Sequence, residues 1–118
     1  MDRIILALVA TFSLSAPAFA HAHLVGAAPA DHAVVSTAPT ELTLQFSEGV
    51  SLRFTSIVVT GPGEAAIAFG TATLDPQDDK QLIVPIAGSL AAGTYTVTWH
   101  ALATDGHKST GTYSFSVK

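Results

Sequence analysis

The 118-residue sequence contains no cysteine. That absence excludes a disulfide framework, a thiolate metal site and a cysteine nucleophile together. Positive charge is scarce as well. Five Lys and Arg stand against nine Asp and Glu, a formal net charge of −4, so the chain lacks the basic footprint that a nucleic-acid partner requires. Methionine occurs once, at Met1, which leaves the rest of the chain without a sulfur ligand. Charged residues make up only 12%, and the length suits one small domain rather than a multidomain assembly or a long enzyme. Special chemistry has to come from His, Asp and Glu.

The hydrophobic fraction of 48% is raised by one segment. Asp2-Arg3 is a short n-region with one positive charge, Ile4 to Leu14 an apolar h-region, and Ala18-Phe19-Ala20 a small-x-small cleavage box. Residues 1–20 therefore read as a cleaved signal peptide. Ser13, Ser15 and Pro17 interrupt the apolar run well short of the ~20 residues that a bilayer-spanning helix needs. Cleavage after Ala20 removes Met1 and leaves a single domain over 21–118 that begins with His21; the bland alternative is an uncleaved anchor.

Beyond residue 21 no stretch keeps helical apolar spacing, whereas alternation with a period of two recurs. Leu42, Leu44 and Phe46 fall on one face of 41–47; Tyr95, Val97 and Trp99 on one face of 94–101; and 112–117 alternates likewise, as half-buried strands require. Residues 53–60 and 81–86 are β-branched runs of strand length, with weaker strand candidates at 24–28, 65–69 and 71–74. Turn residues punctuate these segments, among them Ala28-Pro29-Ala30-Asp31, Gly61-Pro62-Gly63 and Asp75-Pro76-Gln77-Asp78-Asp79. The expectation is an all-β fold, a Greek-key barrel or sandwich of about seven strands. Trp99, Phe46, Phe115 and Tyr95 are its core anchors.

The chemistry gathers at two places far apart in sequence, His21-Ala22-His23 and Thr104-Asp105-Gly106-His107. Both pairs have i, i+2 spacing, which puts both side chains on the same face if the segment is extended. Imidazoles and a carboxylate aimed at one point suit a metal better than a core. A processed His21 adds its own α-amine, which with its Nδ1 closes a chelate ring. Amine, imidazole and carboxylate form the N/O set that tetragonal Cu(II) prefers. Taken singly, Asp-Gly-His is also an ordinary turn, and a terminal His is ordinarily solvated.

With those residues in view the chain resembles the CopC family of periplasmic copper-binding proteins. The likeness runs through His21-Ala22-His23-Leu24, Pro29, Ala38-Pro39, Leu44-Gln45-Phe46-Ser47-Glu48, Val50, Gly93-Thr94-Tyr95-Thr96-Val97-Thr98-Trp99, Asp105-Gly106-His107, Gly111, Phe115 and Val117. The resemblance implies an immunoglobulin-like Greek-key β-barrel in the periplasm that binds Cu(II) and works beside a CopD-type inner-membrane partner. It also implies site roles. His21 is a ligand through amine and imidazole, His107 an imidazole ligand, and Asp105 a carboxylate ligand or close axial contact. His23 is a further ligand, and Glu48 an acidic residue near the copper, with an exposed strand-end carboxylate as its bland alternative. Relatives with a methionine-rich Cu(I) segment differ from this chain, which offers no soft ligand after Met1. His100 stands where relatives commonly have Arg, and with His32 it reads as a surface residue.

Three functions follow from different classes. A copper carrier or buffer uses the whole ligand set and is not an enzyme. A copper oxygenase would use His21 as a brace, but the sequence shows no aromatic platform for a glycan. A metal-free sandwich module predicts nothing special about His21. Function follows the site rather than the fold. The direction of copper transfer and the oligomeric state are not encoded in these features.

Overall fold

The computed structural model describes residues 22–118. The proposed leader 1–20 and His21 lie outside the described residues. Eight strands run in chain order: β1 Leu24–Ala28, β2 Val34–Val35, β3 Glu41–Phe46, β4 Ser56–Thr60, β5 Thr73–Asp75, β6 Asp78–Pro85, β7 Gly93–Leu102 and β8 Lys108–Val117. Two 3-10 turns, Leu52–Phe54 and Pro62–Glu64, are the helical elements among the described residues, and neither is long or apolar enough to cross a membrane.

The strands form two four-stranded sheets, β1-β3-β6-β5 and β2-β8-β7-β4. Alternation decides which faces meet. Leu42, Leu44 and Phe46 of β3 point inward with Leu82 and Val84 of β6, opposite Tyr95, Val97 and Trp99 of β7 and Tyr113 and Phe115 of β8. Phe46 of one sheet meets Trp99 of the other edge-on, with ring centroids 5.3 Å apart at 74°. Tyr95 and Phe115, directly paired across β7 and β8, stack at 5.4 Å. Aromatic pairs of this kind add about 0.5–1.5 kcal/mol beyond the area they bury. The Tyr95 hydroxyl donates to the Ala91 carbonyl at 2.6 Å, so its polar tip is satisfied at the edge of the core.

The all-β sandwich expected from the sequence is what forms, with three local differences. The segment 53–60 begins as the turn Leu52–Phe54 and becomes a strand only at Ser56. Residues 65–69 contribute isolated bridges at Ala66 and Phe69 rather than a strand; Ile67 is the only one of the five that is even half-buried, so the segment has no apolar face to dock. β2 was not expected. It is two residues long and pairs in parallel with the end of β8, too short for any period to register.

Candidate metal centre

Three segments converge at one end of the sandwich, and backbone hydrogen bonds set their spacing. The β7–β8 hairpin closes over Thr104, Asp105 and Gly106, with Ala103 N–H donating to the His107 carbonyl at 2.9 Å and Gly106 N–H to the Ala103 carbonyl at 2.9 Å. Gly106 has φ +96°, a conformation open to glycine and costly for a residue with a Cβ. Three-residue hairpin loops place glycine at this left-handed position.

Asp105 and His107 are brought together by this turn and not by an extended backbone. Asp105 Oδ1 accepts the His107 backbone N–H at 3.1 Å, and its Oδ2 lies 3.1 Å from His107 Nδ1. Asp side chains commonly bond the backbone two residues on in this way. The i, i+2 spacing expected from the sequence therefore works through a turn that folds one side chain onto the other. Both are a little under half exposed, so the pair is open to solvent and held in one orientation.

The second segment is Ala22-His23, which leads into β1. Ala22 is fully buried, and its carbonyl accepts the Ser109 hydroxyl at 2.6 Å. His23 is exposed; its N–H donates to Ser47 Oγ at 2.9 Å, and its carbonyl accepts the Ser47 N–H at 2.8 Å. The third segment is Ser47-Glu48-Gly49. Ser47 holds His23 on one side, and the Gly49 carbonyl accepts Thr104 N–H at 3.0 Å on the other. Glu48, half-buried, sits between these two ties. The Asp79 carboxylate packs against Gly49, leaving no room for a Cβ there, so Glu48, Asp79 and Asp105 give this end a negative character that suits a cation.

Among the described residues no three His, Asp or Glu side chains form a group that could hold a metal ion. The described part of the expected set is the Asp105–His107 pair, with His23 and Glu48 on flanking segments. His100 lies elsewhere, exposed on β7 between Ser56 and Thr110. His32 is also exposed, 3.4 Å from Asp31. Ser47 and Ser109, which position the first segment, carry no signal of their own in the sequence, since serine is common on strand faces.

A model of the CopC domain matches residues 24–118. The chain belongs to the CopC family. It is 48% identical over 116 residues to protein YobA of Escherichia coli K12, covering 98% of this chain and 94% of that one. It is 36% identical to copper resistance protein C of Pseudomonas syringae pv. tomato over 110 residues, covering 89% of this chain and 86% of that one. The crystal structure of PcoC, a methionine-rich copper resistance protein from Escherichia coli, superposes with a TM-score of 0.76 at 32% identity, covering 84% of this chain and all of that one. These relatives give this CopC domain a copper-related function.

Proposed function

We propose that the protein is a periplasmic Cu(II) carrier or buffer, made with a signal peptide over 1–20 and active as the domain 21–118. The reading rests above all on one observation: Ser109 ties the Ala22 carbonyl to β8, two residues beyond His107. That tie holds Ala22, the residue after His21 in the sequence, against the strand that follows the Asp105–His107 loop, which supports this reading. In this reading His21 binds through its amine and imidazole, and His107 through a ring nitrogen. Asp105 either ligates or holds Nδ1 so that Nε2 faces the metal, the familiar carboxylate–imidazole–metal arrangement. His23 is a supplementary ligand, and Glu48 adds negative charge nearby.

Nitrogen and oxygen donors of this kind favour Cu(II). The role is that of a carrier rather than an enzyme, and its exchange partner is a CopD-type inner-membrane protein. The test compares Cu(II) affinity and spectrum for protein that begins at His21 with protein that carries one extra residue before it. Tight binding by the first and at least tenfold weaker binding by the second supports the reading. Equal binding overturns it.

A further inference from the structure

Behind the candidate centre a cleft of about 620 Å³ opens between β1 and β8. These strands belong to different sheets, and β1 is the edge of its own. They are tied at both ends, by the Ser109 hydroxyl on the Ala22 carbonyl at 2.6 Å and by the Ser114 N–H on Asp31 Oδ1 at 3.1 Å. The chain from Ala22 to Asp31 is longer than the stretch of β8 from Ser109 to Ser114, and between the ties β1 pairs with β3 and not with β8.

The β8 edge along this cleft is incomplete. β2 covers it only at Ser116 and Val117, and the outward N–H groups of Ser114 and Ser116 go to Asp31 and to the Ala33 carbonyl. The β7–β8 register continues without a bulge from Val117 back to Lys108, so by alternation Thr112 and Thr110 also turn their backbone groups outward. Among the described residues no backbone group pairs with them there. Strand edges left open in this way are templates for another strand.

Tyr113 supplies an independent sign of a missing partner. Only 4% exposed, it lines the cleft, and its hydroxyl is buried with no hydrogen-bond partner among the described residues. Burial, with Asp31 adding to it, pushes the phenol well above its usual range, so the group is a neutral hydroxyl. A buried hydroxyl left unpaired costs about 1–3 kcal/mol, a cost that is recovered if the ring turns its hydroxyl toward an acceptor as the cleft fills. The walls also admit a main chain. Gly26, Ala27 and Ala30 project little, and a Cβ on Gly111 would strike the Trp99 ring beneath it.

We propose that this cleft is a strand-addition site: it receives an extended segment of a partner protein, whose main chain pairs with β8 at Thr110 and Thr112 and which carries a basic residue to meet Asp31. Main-chain bonds supply affinity in such sites, and pockets for alternate side chains supply selectivity. Asp31 stays half exposed at the far mouth of a chain with net charge −4, hence the basic residue. A second copy of this chain is the poorer occupant, because it brings the same net charge of −4 to the same edge. His23 lines the near mouth, so a docked segment would lie beside the candidate centre.

The test uses metal-free and Cu(II)-loaded protein, so the outcome does not depend on the copper reading. The probes are heptapeptides of alternating valine and threonine ending in lysine or in glutamate. Binding is read from amide hydrogen exchange and from Trp99, the one tryptophan, which lines the cleft. The lysine peptide should slow exchange at Thr110 and Thr112 at least tenfold and bind more tightly than the glutamate peptide. Thr112→Pro, whose lost N–H faces away from β7, should abolish binding while the domain stays folded. Tyr113→Phe should weaken binding about five- to tenfold without lowering the unfolding temperature of the free protein. Unchanged exchange at both threonines with millimolar peptide overturns the proposal. So does protection that rises with protein concentration alone, which would make the occupant a second copy.

Discussion

The Ser109 hydroxyl donates to the Ala22 carbonyl at 2.6 Å across 87 residues of sequence, fastening the segment that leads into β1 to the strand that follows the Asp105–His107 loop. Ala22 is fully buried, so this is a fixed point and not a frayed end. The relationship decides how the candidate centre should respond to substitution.

Ser109→Ala removes the tie and no candidate ligand. A single hydrogen bond of this type contributes about 0.5–1.5 kcal/mol, so a comparable loss of stability is expected. Cu(II) affinity should fall several-fold while the Cu(II) spectrum keeps its wild-type shape, because the donor atoms are the same. Titration with a competing chelator, combined with paramagnetic resonance, measures both. A changed spectrum would show that Ser109 does more than position the segment.

Gly106→Ala probes the loop. At φ +96° a Cβ finds no neighbour within 4 Å, so the penalty is conformational, about 1–2 kcal/mol. The loop can relieve that strain only by shifting Asp105 relative to His107. Thermal unfolding should show the loss, and Cu(II) affinity should drop with it. Unaltered affinity at reduced stability would mean the metal does not need the pair in this geometry.

Across the candidate ligands, His21→Ala and His107→Ala should be the most damaging to Cu(II) binding and Asp105→Ala intermediate. His100→Ala should be nearly silent, since His100 is exposed on β7 away from the converging segments. Asp105→Asn separates two roles. It keeps an acceptor for the His107 N–H and loses the charge, so near-wild-type folding with weakened binding marks an electrostatic or ligating part. Isothermal titration of the five variants orders them. Silence at His107 with loss at His100 would reverse the assignment.

Much of this fold is legible as alternation, because β3 and most of β7 and β8 bury one face, at Leu42, Leu44 and Phe46, at Tyr95 to Ala101 and at Tyr113 to Val117, and a period of two survives in their sequences. The same logic fails where burial is partial. Residues 65–69 look like a strand by composition yet bury little, and Val34–Val35 forms a strand only because the end of β8 offers it a parallel edge. The proximity of Asp105 and His107 is readable from their spacing, but its cause is not. A turn held by the Asp105 carboxylate and Gly106 brings them together, where the extended-segment argument relied on pleat. Ser109 is invisible beforehand, and Ser47 shows only as part of the stretch around Phe46 and Glu48, since the importance of both comes from what lies across the fold.

Tyr113 predicts an alkaline limit to stability. Burial, reinforced by Asp31, raises its phenol above the ordinary value of about 10. Above that pH the unfolded chain releases a proton that the folded chain retains, so the native state binds more protons and stability falls as pH rises. The slope for one proton is about 1.4 kcal/mol per pH unit. Below pH 10 the contribution is constant. Chemical denaturation between pH 8 and 11 should show the decline beginning near 10, and Tyr113→Phe should remove one proton's worth of slope. An identical profile in the variant would place the alkaline transition on another group.

Reduction should empty the site. With no cysteine and with methionine confined to Met1, residues 21–118 offer copper only nitrogen and oxygen donors. Soft thioethers and thiolates are what select Cu(I), while imidazole, amine and carboxylate hold Cu(II) well. The contrast is with a relative such as PcoC, described as methionine-rich. Ascorbate with a Cu(I) chelator should therefore strip the metal quickly, whereas an equally strong Cu(II) competitor should remove it slowly. Release would then follow electron delivery at a partner rather than unfolding of the domain, and the far-ultraviolet dichroism should stay constant throughout. High-affinity retention of Cu(I) would overturn this account, because His21, His23 and His107 would then suffice for the reduced ion, and redox cycling at a histidine brace would become the better reading of the same residues.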